Sequence, residues 1–276
     1  MKRAYISGIT NDAFVAGVLV MFRSLQKYSR IKDIEFLCLV TETVSKKSRE
    51  KLINIGVSTI DVESIRNQDD DRWSTTFTKI KIFDLTGYEK LVWIDADMMV
   101  CRCLDELFNH PHMSCVRSRK AYDADNTAEL RYPFNSGLMV IVPNHNEYIE
   151  ICSMIECVVQ EYRKERLPVG DQNVLNAYYS DWYDNSERRL EDGYNVFWGS
   201  VEDYLNRGYS IFSDSGIPIY VLHYTGTHKP WNRTKWFWIK SYIRSIRYQH
   251  RFPKAETCAA IRAYNDYLVA LGKQYG

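Results

Sequence analysis

Strand and helix signals alternate along the first third of the chain, and this alternation constrains the fold more than any single motif. "RAYISGI" (3–9) reads as a strand. Asn11 and Asp12 then cap "AFVAGVLVMFRSLQKY", whose apolar positions recur at helical spacing. "IEFLCLV" is a second strand, "SKKSREKLINIG" a helix closed by Gly56, and "VSTIDV" a third strand. After a polar loop over 66–71, "TTFTKIKIFDL" reads as a further helix leading into the strand "LVWIDAD". Repeated βα units require long crossovers, so the strands lie mostly parallel in a central sheet flanked by helices: an α/β fold. Ligands of such sheets bind outside the carboxyl ends of the strands. Farther on, "NSGLMVIVP" is a strand entered from a polar turn, and "NEYIEICSMIECVVQEYRKE" and "GDQNVLNAYYSDW" are helices. "IYVLHYTG" is a late strand ending at His223. With no internal repeat and no low-complexity linker, the division expected is one domain over 1–232 and a C-terminal extension over 233–276.

The run "LVWI" ends in Asp95-Ala96-Asp97 before apolar Met98-Met99-Val100 resumes. Unpaired carboxylates at the end of a buried strand cost several kcal/mol or titrate to neutrality, so a positive partner is expected there. Two carboxylates at i and i+2 can reach one divalent cation, and oxygen ligands suit magnesium or manganese. A turn rich in aspartate would look the same locally. A second constellation, "HYTGTHKPW" (223–231), also leaves a strand. A neutral imidazole at His223 suits a manganese-like ion, Gly226 lets backbone amides approach a phosphate, and Lys229 adds positive charge. His223 alone would more often be a packed histidine; the order His, Gly, Lys, Pro, Trp favours the ligand reading. His228 is assigned to the surface.

Three weaker features accompany these. "FNSG" puts Asn135 and Ser136 at a strand start, where short donors and acceptors can fix hydroxyls or simply make a turn. "VGDQN" puts Asp171 and Gln172 at a helix start, where Asp171 serves either the helix N-terminus or sugar recognition. The first βα turn, "GITNDAF", lacks GxGxxG and so argues against a dinucleotide site; Thr10, Asn11 and Phe14 can instead hold a nucleobase by edge hydrogen bonds and stacking.

Composition excludes some partners. Lys plus Arg total 36 against 35 for Asp plus Glu, a net charge of +1 that gives no argument for nucleic acid. Seven cysteines lack framework spacing, and Met1-Lys2-Arg3 runs straight into a strand-like segment, so a secretory leader is not expected. Reduced thiols in the cytoplasm are therefore expected. Cys101-Arg102-Cys103, without a second pair, is weak evidence for zinc. No apolar run approaches the ~20 residues of a membrane span.

Taken together, "TNDAF", "TKI", "IDAD", "FNSG", "GDQ" and "HYTGTHKPW" occur in the order found in glycosyltransferase family 8, and the chain resembles its glycogenin-like members over about residues 4–232. The resemblance implies a GT-A, Rossmann-like nucleotide-diphospho-sugar transferase fold and a retaining, manganese-dependent hexosyl transfer from a UDP-sugar, with magnesium as an alternative ion. It implies that Asp95, Asp97 and His223 bind the metal, with Ala96 between the two carboxylates in the donor site. Gly226 and Lys229 would contact the diphosphate, and Thr10, Asn11 and Phe14 the uridine. The family often has Tyr where Phe14 stands, so a hydroxyl contact is lost. Lys79, Asn135, Ser136, Asp171 and Gln172 fall where family members hold the donor sugar, with Gln172 near the anomeric carbon and Asp171 as the residue to test for covalent catalysis. Glycogenin glucosylates its own tyrosine; here Glu202 falls at that position between Tyr194 and Tyr204. The expected acceptor is therefore a separate glycan, lipid or polyol. The resemblance also admits a homodimer.

Two alternatives carry other expectations. A haloacid-dehalogenase-like phosphatase would use Asp95 as nucleophile, but it needs DxDxT and Met98-Met99 follow Asp97. A noncatalytic sugar-nucleotide-binding protein would share the fold. Finally, Arg233 to Phe252 holds Arg233, Lys235, Lys240, Arg244, Arg247 and Arg251 and no acidic residue, with Trp236, Ile239, Ile243 and Ile246 as an apolar stripe. The favoured expectation is a helix docked on the catalytic domain with its basic face in water. The other is peripheral contact with an anionic membrane through 233–252.

Overall fold

The computed structural model describes residues 2–66, 75–118, 133–232, 234–249 and 252–275. Most of the polar loop expected over 66–71, and Arg233 and Arg251 of the C-terminal stretch, lie outside the described residues. Strand β1 (Lys2–Ile9) leads through a 3₁₀ turn into α1 (Val15–Tyr28), followed by β2 (Glu35–Val40), α2 (Lys46–Asn54) and β3 (Ser58–Asp61). The Asn11 side chain accepts from the Ala13 N–H and starts the first turn, Asp12–Phe14. The Ser45 hydroxyl accepts from Ser48 N–H to start α2, and Gly56 adopts φ 79° just beyond its end.

The segment before the aspartates differs from expectation. Thr76–Asp84 is a 3₁₀ helix, not an α-helix. Its buried Phe77, Ile80 and Phe83 are spaced by three, the 3₁₀ period, so this winding keeps all three on one line toward the core. Strands β4 (Tyr88–Ile94), β5 (Met98–Val100), β6 (Ser114–Arg117) and β7 (Phe134–Ile141) follow, then α3 (His145–Lys164), α4 (Asp171–Tyr178), β8 (Val196–Phe197), α5 (Val201–Asn206), β9 (Tyr209–Ser210), β10 (Ile217–Pro218), β11 (Val221–His223), α6 (Thr234–Gln249) and α7 (Ala255–Tyr275).

The main sheet has the order β3-β2-β1-β4-β7-β6. Its first four strands are parallel, and β7 runs antiparallel to both β4 and β6. One face packs Tyr5, Cys38 and Val92 against Val18, Phe22 and Leu25 of α1. The other packs Ile6, Leu37 and Leu91 against Phe77, Ile80 and Phe83 and against Val174 and Leu175 of α4. Both faces are buried, which explains why the strands read as continuous apolar runs.

A second sheet, β5-β11-β8, turns this layered domain into a site. Asp95 N–H donates to the Gly137 carbonyl and Met98 N–H to the Asp95 carbonyl, so the chain turns tightly out of β4 into β5. The antiparallel register of β5 with β11 then pairs Met98 with His223. That pairing sets His223 against aspartates more than a hundred positions earlier.

The C-terminal helices pack on the domain. Trp238 of α6 meets the rings of Trp198 and Tyr264, and α7 packs on α1. Glu202 accepts from Lys254 N–H at 3.1 Å and from the Thr257 hydroxyl at the start of α7, and Glu256 accepts from Ile211 N–H and the Ser210 hydroxyl. Helix α6 is docked with Lys240, Arg244 and Arg247 exposed, but not through the apolar stripe named from the sequence. It docks through Trp238 and Ser245, while Trp236, Ile239, Ile243 and Ile246 are exposed. Apolar residues lie on both sides of this helix, so spacing alone picks the wrong stripe; Trp238 wins because an aromatic pocket is waiting for it.

Candidate active site

The carboxyl ends of β1 and β4 open into one cavity of about 620 Å³. Every residue assigned from the sequence to the metal and donor site lines it: Thr10, Asn11 and Phe14 from the first turn, Lys79 from the 3₁₀ helix, and Asp95, Ala96 and Asp97 beyond β4. Asn135 and Ser136 enter from β7, Asp171 and Gln172 from the start of α4, and His223, Gly226 and Lys229 from the end of β11 and its loop. His228 is exposed and lies outside it.

At one end of the cavity Asp95, Asp97 and His223 each offer an atom, and these atoms lie within 4.8 Å of one another. The tautomer of His223 follows from a chain of hydrogen bonds. Gly137 N–H is an obligate donor, and it donates to Asn135 Oδ1 at 3.0 Å. The atom of Asn195 facing that oxygen at 2.7 Å must then be its amide nitrogen, which turns Asn195 Oδ1 toward His223 Nδ1 at 2.9 Å. Nδ1 therefore carries a hydrogen. In the neutral ring Nε2 presents a lone pair, 3.2 Å from Asp97 Oδ1 and 4.0 Å from Asp95 Oδ2. Two carboxylates and a lone pair that converge in this way offer a ligand set to a cation. The donor set fits a divalent metal of the manganese or magnesium type.

The packing is tight around this cluster. A Cβ at Gly137 would come within 2.7 Å of His223 Cε1 and within 2.8 Å of Asn135 Oδ1, so no larger residue fits there. Lys229 Nζ pairs with Asp97 Oδ2 and donates to the Tyr224 carbonyl at 2.9 Å. Burial would raise the Asp97 carboxyl, but His223 and Lys229 outweigh it and hold Asp97 well below the ordinary range. Burial pushes Asp95 the other way, against the pull of Lys79 and with the repulsion of Asp97. Trp93 Nε1–H fixes Asp95 Oδ1 at 2.7 Å. Gly226 has φ 97°, the left-handed region that glycine accepts without strain.

At the other end, Lys79 Nζ lies 2.9 Å from both Asp95 Oδ1 and Asp171 Oδ2. Burial opposes its charge, yet Asp171 and Asp95 raise its pKa well above the usual lysine range. The Ser136 hydroxyl donates to Asp171 Oδ2 at 2.7 Å. Gln172 Oε1 accepts from Asn135 Nδ2 at 2.8 Å and from Ser136 N–H at 3.3 Å. Its own amide donors have no acceptor among the described residues. The Asn11 Oδ1 is spent on its cap, and Phe14 meets Trp231 edge-on at 5.9 Å between centroids. The Trp231 indole N–H in turn donates to the Ala13 carbonyl, tying the Lys-Pro-Trp run to the first turn.

Two residues of this network escape a reading of motifs. Trp93 looks like one more apolar strand residue, and Asn195 sits in "DGYNVF", where nothing in the spacing marks it. Only the pairing of β11 with β8, which sets His223 beside Phe197, brings Asn195 under the histidine ring.

A carboxylate-rich cavity at the carboxyl edge of this sheet, with a smaller sheet closing one side, is the GT-A arrangement of glycosyltransferases. The solved structure of the galactosyltransferase LgtC with donor and acceptor sugar analogs matches with a TM-score of 0.65, covering 97% of this chain and 95% of that one at 17% identity. Residues 6–235 match the model of Glycosyl transferase family 8, and the chain belongs to that family. It is 32% identical to Glycogenin-1 of Caenorhabditis elegans, covering 84% of this chain and 51% of that protein. It is 30% identical to a putative UDP-glucuronate:xylan alpha-glucuronosyltransferase 3 of Arabidopsis thaliana, covering 83% and 35% respectively. The chain thus spans about half or less of the length of these two curated relatives. The family sets aside the phosphatase alternative.

Proposed function

We propose that this chain is a metal-dependent retaining glycosyltransferase. It moves a hexose, glucose or galactose, from a UDP-sugar to a glycan, lipid or small polyol other than itself, with the catalytic machinery in 1–232 and 233–276 as a helical extension. The convergence of Asp95, Asp97 and His223 within 4.8 Å, in the cavity that also holds the sugar-facing residues, carries the reading. The ion assigned to these ligands is manganese, with magnesium as the alternative. When bound, it would supply positive charge against the leaving diphosphate.

Lys229 contributes a second positive charge at the same end, and the amides around Gly226 can approach phosphate oxygens. Thr10, Asn11 and Phe14, around the first turn, are the candidates for the uridine. The sugar falls to Lys79, Asn135, Ser136, Asp171 and Gln172. Asp171 is a poor nucleophile in this setting: Lys79 and Ser136 share its Oδ2, and the residue is only 6% exposed. It holds Lys79 and the sugar-binding edge in place instead. The free amide of Gln172 is then the group available beside the anomeric carbon. Retention follows by front-face attack: the acceptor oxygen bonds to C1 as the C1–O bond to phosphate breaks, and the acceptor proton passes to the departing phosphate oxygen.

A separate acceptor agrees with the surroundings of the nearby tyrosines. Tyr194 stacks on Tyr220 at 4.1 Å and its hydroxyl donates a hydrogen bond to Glu106, and Tyr204 is buried. Glu202, at the position of the self-glucosylated tyrosine, is buried and bonded to the start of α7. A cytoplasmic setting is consistent with seven unpaired cysteines, and no helix among the described residues is long and apolar enough to cross a membrane. Screening UDP-hexoses for UDP release with manganese, and again with chelator, tests the reading. Release in manganese and loss in chelator is expected, and equal release in both overturns it.

A further inference from the structure

Helix α6 has two apolar faces, and only one of them is used. Trp238 and Ser245 are buried against the domain, and the Ser241 hydroxyl accepts from the Trp198 indole at 3.0 Å. On the side turned to solvent Trp236 is 65% exposed, Ile239 46%, Tyr242 44%, Ile243 53% and Ile246 38%. At 100° per residue these five fall within an arc of about 120°. Lys240, Arg244 and Arg247 are also exposed and occupy the neighbouring arc of about 60°. Phe252, 70% exposed with its ring 6.0 Å from that of Tyr242, extends the apolar patch. Thr234–Gln249 contains no acidic residue.

We propose that this face docks on an anionic lipid bilayer. The apolar arc lies at the boundary between headgroups and acyl chains, and Lys240, Arg244 and Arg247 meet the lipid phosphates. A contiguous patch of one Trp, one Tyr and three Ile is larger than the scattered apolar residues of an ordinary surface. Trp and Tyr favour the interfacial level of a bilayer, and long basic side chains reach from an apolar surface to phosphate. The charge pattern selects this occupant over a second copy of the chain. Self-association through the same face would bring like-charged helices together, and α6 carries no carboxylate to neutralise them. The inference rests on this face alone and is independent of the proposed chemistry.

Co-sedimentation of the full chain with vesicles tests it. Binding to phosphatidylglycerol-containing vesicles is expected, with at least about tenfold weaker binding to phosphatidylcholine alone. The paired variants Lys240→Glu/Arg244→Glu and Ile239→Gln/Ile243→Gln each lower binding to anionic vesicles at least about tenfold. Both keep the wild-type melting temperature, since the replaced side chains are exposed. Failure to bind either vesicle, or binding that ignores lipid charge and both pairs of changes, overturns the proposal. So does concentration-dependent dimerisation without lipid that Ile239→Gln/Ile243→Gln abolishes, because the face would then belong to a second copy.

Discussion

Two buried lysines serve the two ends of the cavity, and their settings differ. Lys79 projects from a helix sealed into the core and bridges Asp95 and Asp171, two carboxylates from different elements. Lys229 sits on the loop beyond β11 and pairs with Asp97, which also has His223. Lys79 is thus a built-in counter-ion shared between two carboxylates in a buried place. Lys229 stands at the edge of a converging ligand set, and Asp97 also faces His223 Nε2 at 3.2 Å. Under the proposed function, the same residue type would brace the sugar end and present a substrate-facing charge at the diphosphate end.

Substitution separates these roles. Lys79→Met strands Asp95 and Asp171 without their cation; a loss of about 3–5 kcal/mol in unfolding free energy is expected, together with loss of UDP release. Lys229→Met leaves Asp97 with His223, so chemical denaturation should show a smaller loss, about 1–2 kcal/mol. Its larger effect should be weaker UDP binding in the presence of manganese, read by calorimetry. Equal destabilisation by the two variants would break the comparison.

Asn195 lies between the two ends and sharpens the contrast. Asn195→Leu removes the acceptor that sets the His223 tautomer, and manganese affinity should fall about 10–100-fold, measured by electron paramagnetic resonance of the free ion. Asn195→Asp keeps an acceptor for His223 but places a carboxylate oxygen against Asn135 Oδ1. It should retain more metal affinity than the leucine variant while losing more of the sugar-dependent step. The smallest effect is expected away from the cavity: Glu202→Gln weakens the bonds to the start of α7, and should lower stability by about 1 kcal/mol without changing manganese affinity.

Much of the main sheet can be read in the chain because βα alternation and apolar runs are local signals. The strand-end aspartates announce themselves for the same reason: buried charge needs an explanation wherever it occurs. His223 and Lys229 were recognisable as a run, but their meeting with Asp95 and Asp97 depends on the register of β5 with β11, a long-range property. Asn195 and Trp93 left no trace because an amide or an indole gains its role only from the neighbour it meets. The docking face of α6 is not legible in the sequence, because helical spacing shows an apolar stripe but not which residues find a partner. The 3₁₀ winding around Lys79 was written in the spacing of Phe77, Ile80 and Phe83, where a period of three was taken for the helical 3.6.

The central claim is that Asp95, Asp97 and His223 form the metal centre of a UDP-sugar transferase. Thermal unfolding with UDP, with manganese, and with both, in the wild-type chain and in Asp97→Ala, tests it most directly. The account predicts a marked rise in melting temperature only when UDP and manganese are present together, and no such rise in Asp97→Ala. Equal stabilisation by UDP with and without manganese, or full stabilisation of the Asp97→Ala variant by the pair, would contradict it.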